Sequence, residues 1–111
     1  MLTPYTGAMI KVYVLYPNNP GSAFNMDYYL TKHMPMVRDR LGAALKGMTV
    51  DNGIRGGQPG TEAAHRVIAT LAFDSLDSYQ NAFLPHAAEI QGDIPRYTDI
   101  LPAVMISEVK M

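Results

Sequence analysis

The 111-residue chain contains no cysteine and no tryptophan. Without thiols it has no disulfide, no thiolate nucleophile and no cysteine-based metal site. Charge is also scarce, at 17% of residues with a net charge of −1. The basic residues stand singly from Lys11 to Lys110, so no positive stripe awaits a nucleic acid. No apolar run approaches the roughly 20 residues needed to cross a bilayer. No signal-peptide pattern opens the chain, and a cytoplasmic location without membrane or nucleic-acid partner is the expectation. The three histidines lie far apart with no carboxylate cluster around them, which argues against a metal site.

What is present is apolar: 48% of residues, enough for one globular domain with a real core. Residues 1–8 (MLTPYTGA) are expected to be a disordered leader before a single domain over 9–111. Ile10 to Tyr16 is β-branched and aromatic and ends in the turn formers Pro17-Asn18-Asn19-Pro20-Gly21, a strand and then a loop. A helix is predicted from Met26 to about Leu41, capped by Asn25, stapled by Phe24 against Tyr29 and stopped by Gly42. Leu45–Asp51 reads as a second strand, and residues 52–62, rich in glycine, as a long hairpin loop or a mobile flap. His65–Phe73 alternates as a third strand. Ser75 caps a second helix carrying Leu76, Tyr79, Phe83, Ala87 and Ile90 at helical spacing, and Ala103–Val109 forms the last strand.

The order β-α-β-β-α-β predicts an α+β, ferredoxin-like fold with an antiparallel four-stranded sheet. Two helices cover one sheet face only. The other face keeps apolar residues, so a second copy packed sheet to sheet, as in a dimeric α+β barrel, is expected.

The first helix presents a puzzle. At about 100° per residue, Met26, Leu30, Val37 and Leu41 share a face, with Met34 at its edge, His33 among them and Tyr29 on the flank. Pro35 falls on the outward side, removes an amide and crowds the preceding turn, so the helix should bend there and leave space beneath His33. Pro85 repeats the device in the second helix, with His86 near Tyr79 and Phe83. A cavity between helices and sheet, with His33 and Tyr29 as catalytic candidates, follows as an expectation. Tyr16, Tyr28, Tyr79, Phe83, His86 and Tyr97 are the substrate-binding candidates, and Asp27 a weaker one at the rim. The plainer alternative is a packed Tyr29–His33 pair that only fixes the helix against the sheet.

Three stretches stand out: Ile10 to Pro17; Phe24-Asn25-Met26-Asp27-Tyr28-Tyr29 with His33-Met34-Pro35-Met36; and Asp93-Ile94-Pro95-Arg96-Tyr97-Thr98-Asp99. In these the chain resembles the EthD family of dimeric α+β-barrel proteins. The family takes its name from ethyl tert-butyl ether degradation. The resemblance implies the barrel, the homodimer and a pocket for a small apolar or aromatic molecule between sheet and helices. It also implies a place in catabolism or secondary metabolism. One functional reading is a cofactor-independent enzyme of isomerase, cyclase or monooxygenase type, with His33 as general base or acid and Tyr29 orienting it or donating to an oxyanion. The second is a non-catalytic binding or accessory dimer for a hydrophobic metabolite. Haem binding through His33 is a third.

Overall fold

The computed structural model describes residues 9–111, so the leader expected at 1–8 lies outside the described residues. Strands β1 (Ile10–Pro17), β2 (Gly47–Asn52), β3 (His65–Phe73) and β4 (Ala103–Glu108) form one antiparallel sheet in the order β2-β3-β1-β4. Helices α1 (residues 26–41) and α2 (residues 76–92) lie across it, completing the ferredoxin-like arrangement read from the sequence. No described helix is long and apolar enough to cross a membrane.

Alternation sets the two sheet faces. Ile10, Val12 and Tyr16 of β1 and Val67, Ala69, Leu71 and Phe73 of β3 are buried beneath the helices. The paired odd positions of β1, Tyr13 and Leu15, stand on the opposite face beside Thr70, Ile68, Met105 and Ala103. No described helix covers that face.

Helix α1 is not a uniform α-helix. An α turn at Met26–Tyr28 passes into a π segment at Tyr29–His33 and then into α-helix at Met34–Leu41. The Met34 amide bonds the Tyr29 carbonyl, five residues back. Pro35 explains the choice: its ring would clash with the Thr31 carbonyl in a tight α turn, and widening the turn before it relieves that contact. This corrects the helical-wheel expectation. The wider turn rotates the first half of α1, so Tyr29 becomes buried while Leu30 is 49% exposed. Pro35 itself is half-buried rather than facing solvent.

The ends of α1 follow the sequence reading. The Asn25 side chain accepts the Tyr28 amide at 3.0 Å, and Gly42 stops the helix at φ 59°, a backbone that favours glycine. In α2, Ser75 caps through its hydroxyl, while Leu84–His86 tightens to a 3₁₀ turn at Pro85. Leu76, expected inward, is 45% exposed. Strand β2 begins at Gly47 rather than Leu45, because a 3₁₀ turn at Gly42–Ala44 occupies the preceding residues. The loop over residues 53–64 is a hairpin connection that bonds to itself, with Gly56 donating to Thr61 and Arg55 donating to the Gly56 and Gly57 carbonyls.

Candidate functional site

A second tie decides where the site forms. Phe24 bridges Thr98 in an isolated antiparallel pair, the Asn25 amide donates to the Tyr97 carbonyl at 2.7 Å, and the Thr98 hydroxyl donates to the Ala23 carbonyl at 2.6 Å. The segment before α1 is thereby stitched to the segment after α2. Tyr97 is carried under the first turns of α1, against Tyr29 and His33.

Between these helices and the sheet lies a cavity of about 420 Å³. Its walls are mainly apolar, with Val12, Val14, Val37, Leu71, Phe83, Ile90 and Ile94 among them, and its polar groups are few: His33, Tyr16, Tyr29, Tyr79, Tyr97 and Gln91. The mouth lies where lining residues are exposed, at Gln91, Pro95, Leu101 and Val104. Of the residues singled out in the sequence, His33, Tyr29, Tyr16, Tyr79, Phe83 and Tyr97 line this space. Tyr28 and His86 do not, and Asp27 is exposed on the outer face of α1.

His33 is 4% exposed, and its Nδ1 lies 2.9 Å from Asp93 Oδ2. The Tyr28 hydroxyl donates to the other oxygen of Asp93 at 2.8 Å, and Arg96 approaches that oxygen at 3.5 Å. Burial lowers the His33 pKa from its ordinary 6.5, and the Asp93 carboxylate only partly offsets this. At Asp93 burial would raise the carboxyl. The hydrogen bonds from His33 and Tyr28, with nearby positive charge, outweigh it and hold the carboxyl below the ordinary range. The consistent state near neutral pH is a neutral imidazole whose Nδ1–H donates to an ionised Asp93.

That tautomer leaves Nε2 with a lone pair. Among the described residues Nε2 has no hydrogen-bond partner, and no fully buried side-chain nitrogen or oxygen lacks one. Nε2 therefore keeps some accessible surface, and the surface His33 borders is the cavity.

Tyr29 supports the imidazole by stacking, with ring centroids 5.4 Å apart and planes 13° from parallel, while Tyr97 packs against it at 4.6 Å. The two stacked residues are the first and last of the π segment. The hydrogen bond that orients His33 is made to Asp93, named in the sequence analysis only within the stretch that resembles the EthD family and not as a site candidate. Its signal was faint: a carboxylate just after Gly92, 60 residues from its partner. The Tyr16 and Tyr97 hydroxyls meet at 2.6 Å. Burial pushes the ionisation of Tyr16, Tyr29 and Tyr97 well above the usual phenol value.

Among the described residues no group of three or more histidine, aspartate or glutamate side chains is placed to hold a metal ion.

The fold and this helix-to-sheet cavity define a protein of the ferredoxin-like α+β class. Residues 22–100 match the EthD domain, and the chain belongs to the EthD family. An EthD-like protein from Ralstonia eutropha JMP134 is 44% identical over 93% of each chain, with a TM-score of 0.88. An EthD family protein from Bacillus halodurans C-125 is 23% identical, covers 91% of this chain and 98% of its own, and superposes with a TM-score of 0.69. A dimeric protein with a ferredoxin-like fold from Bacteroides fragilis NCTC 9343 is 14% identical over 95% of this chain and 100% of its own, at a TM-score of 0.57. No curated protein matches the chain.

Proposed function

We propose that the protein binds a small, largely apolar molecule in the cavity beneath α1 and moves a proton on it, with His33 as general base and no organic cofactor. The observation that carries this reading is the Asp93–His33 hydrogen bond, which presents a neutral imidazole's free nitrogen to an apolar cavity. A base held in one tautomer, desolvated and charge-neutral at working pH, is suited to removing a proton from carbon. Asp93 is the positioning residue and Tyr28 holds Asp93. Tyr29, Tyr79, Phe83, Tyr16 and Tyr97 shape the binding space. His86 lies off the cavity wall and has no part in this reading.

The test uses a generic carbon acid, 5-nitrobenzisoxazole, whose deprotonation opens the ring to a coloured phenolate. The base takes the proton from carbon, the N–O bond breaks, and a nitrile forms. The expected result is turnover above that of free imidazole, falling about a hundredfold or more in His33→Ala while the fold is retained. Binding of the probe without His33-dependent turnover would favour a non-catalytic carrier instead.

The working unit is a homodimer. The sheet face opposite the helices carries Tyr13, Leu15, Ile68, Ala72 and Met105, and β4 is an edge strand with Val104, Met105 and Ile106 each about half exposed. A patch of this kind is covered in stable proteins, and the Bacteroides fragilis relative in fold is described as dimeric.

A further inference from the structure

We infer that Tyr97 offers the cavity one hydroxyl donor beside the His33 base, and that the molecule received is uncharged and carries an acceptor oxygen, as in a ketone, next to the carbon facing His33. The second half rests on the proposed role of His33; the first does not.

Tyr16 and Tyr97 share one hydrogen bond at 2.6 Å, and either oxygen can be the donor. Two hydroxyls own two protons, and one bond uses one of them. If the Tyr29 hydroxyl joins the chain, three hydroxyls form two bonds and one proton is again left over; if it stands apart it keeps its own as well, so at least one donor is free in either case. Ionisation does not remove the surplus, since burial keeps all three phenols protonated. Among the described residues none accepts it. The nearby carboxylate, Asp93, is hydrogen-bonded by Tyr28 and His33 and approached by Arg96, and none of the three phenols reaches it. A buried donor without an acceptor is costly, which favours a ligand that supplies one.

Position then selects the ligand. Of the three tyrosines Tyr97 has the ring nearest the imidazole, with centroids 4.6 Å apart against 5.4 Å for Tyr29, so the ring that carries the donor lies beside the base, and on this inference the two serve neighbouring atoms of the ligand. A carbonyl oxygen and its α-hydrogen stand in that relation. Removing the hydrogen moves charge onto the oxygen, where the phenol stabilises it. The remaining walls, including Val12, Leu71, Phe83 and Ile94, would strip water from any charged substituent without replacing it.

Acetophenone and α-methylstyrene, which differ by C=O against C=CH₂, are the probes. Affinities come from ligand-observed NMR titration, and the carbonyl stretch of bound acetophenone from difference infrared spectra. Wild-type protein should prefer acetophenone about tenfold, the worth of one net hydrogen bond, with the band at lower wavenumber than in alkane solvent. Tyr97→Phe should equalise the two affinities and return the band. Should that variant fail to fold, the wild-type comparison alone decides. Equal wild-type affinities with an unshifted band, or a preference that survives Tyr97→Phe, would overturn the inference. Failure of both probes to bind at millimolar concentration would overturn it together with the cavity's role. A carbonyl shift that persists in His33→Ala, alongside unchanged 5-nitrobenzisoxazole turnover there, would sink the base and leave the donor standing.

Discussion

At His33 two influences oppose each other: burial disfavours the imidazolium, and Asp93 favours it. Burial wins, so the folded-state pKa lies below the ordinary 6.5. The sign for stability follows from linkage. The unfolded chain takes up the proton first as pH falls, so the contribution of His33 is fully present above about 6.5 and declines as pH drops toward the folded value. Asp93 acts in the same direction at lower pH, because its folded pKa is held below the ordinary 3.8. Denaturant midpoints should therefore fall on acidification from about pH 7.5 to 5, and His33→Phe should flatten that part of the curve. A midpoint that rises over this range in the wild type would show an imidazolium stabilised by Asp93, and the free base would be lost.

At the scale of the element, α1 couples its backbone to the site. The π segment at Tyr29–His33 carries the stacked pair of rings and leaves Leu30 outward. Pro35 is the residue that makes a tight α turn costly there. In Pro35→Ala the amide is restored and the clash removed, so an α register competes with the π register. The expected outcome is faster amide hydrogen exchange over residues 29–35, with His33-dependent turnover reduced more than global stability. Protection equal to wild type across those amides would show that packing of Tyr29 and His33, not the proline, holds the wide turn. The Gly42 stop and the Asn25 and Ser75 caps were legible because each needs only its own neighbours. The π turn was not, since it depends on which half of the helix meets the sheet.

For the whole molecule, the sheet's uncovered face matters most. Tyr13 pairs across the ladder with Met105, and Leu15 with Ile68, so the apolar side chains are neighbours rather than scattered. On the proposed dimer, Met105→Glu places charge in the middle of the buried patch. Sedimentation at micromolar concentration should show a dimer for the wild type and a monomer for Met105→Glu. A stable wild-type monomer would remove the sheet-to-sheet assembly and leave the cavity within one chain unaffected.

Alternation and turn chemistry act between residues close in the chain, so the sequence by itself determined the element order, the buried face of β3 and the antiparallel ferredoxin-like plan, while the face of β1, apolar on both sides, was decided by its register in the sheet. His33's inward direction was also legible, as it survives both the α and the π register. Tertiary structure alone decided which residue partners it. Asp93 reaches His33 only because Phe24 and Thr98 bring the end of α2 back to the start of α1, and no local pattern encodes a contact across 60 residues. The same long-range closure carries Tyr97 to Tyr16, 81 residues away, and sets a hydroxyl ladder in the wall of the cavity. Short-range physics could mark these residues as aromatic and buried, while their hydrogen-bond partners depend on how the whole chain closes.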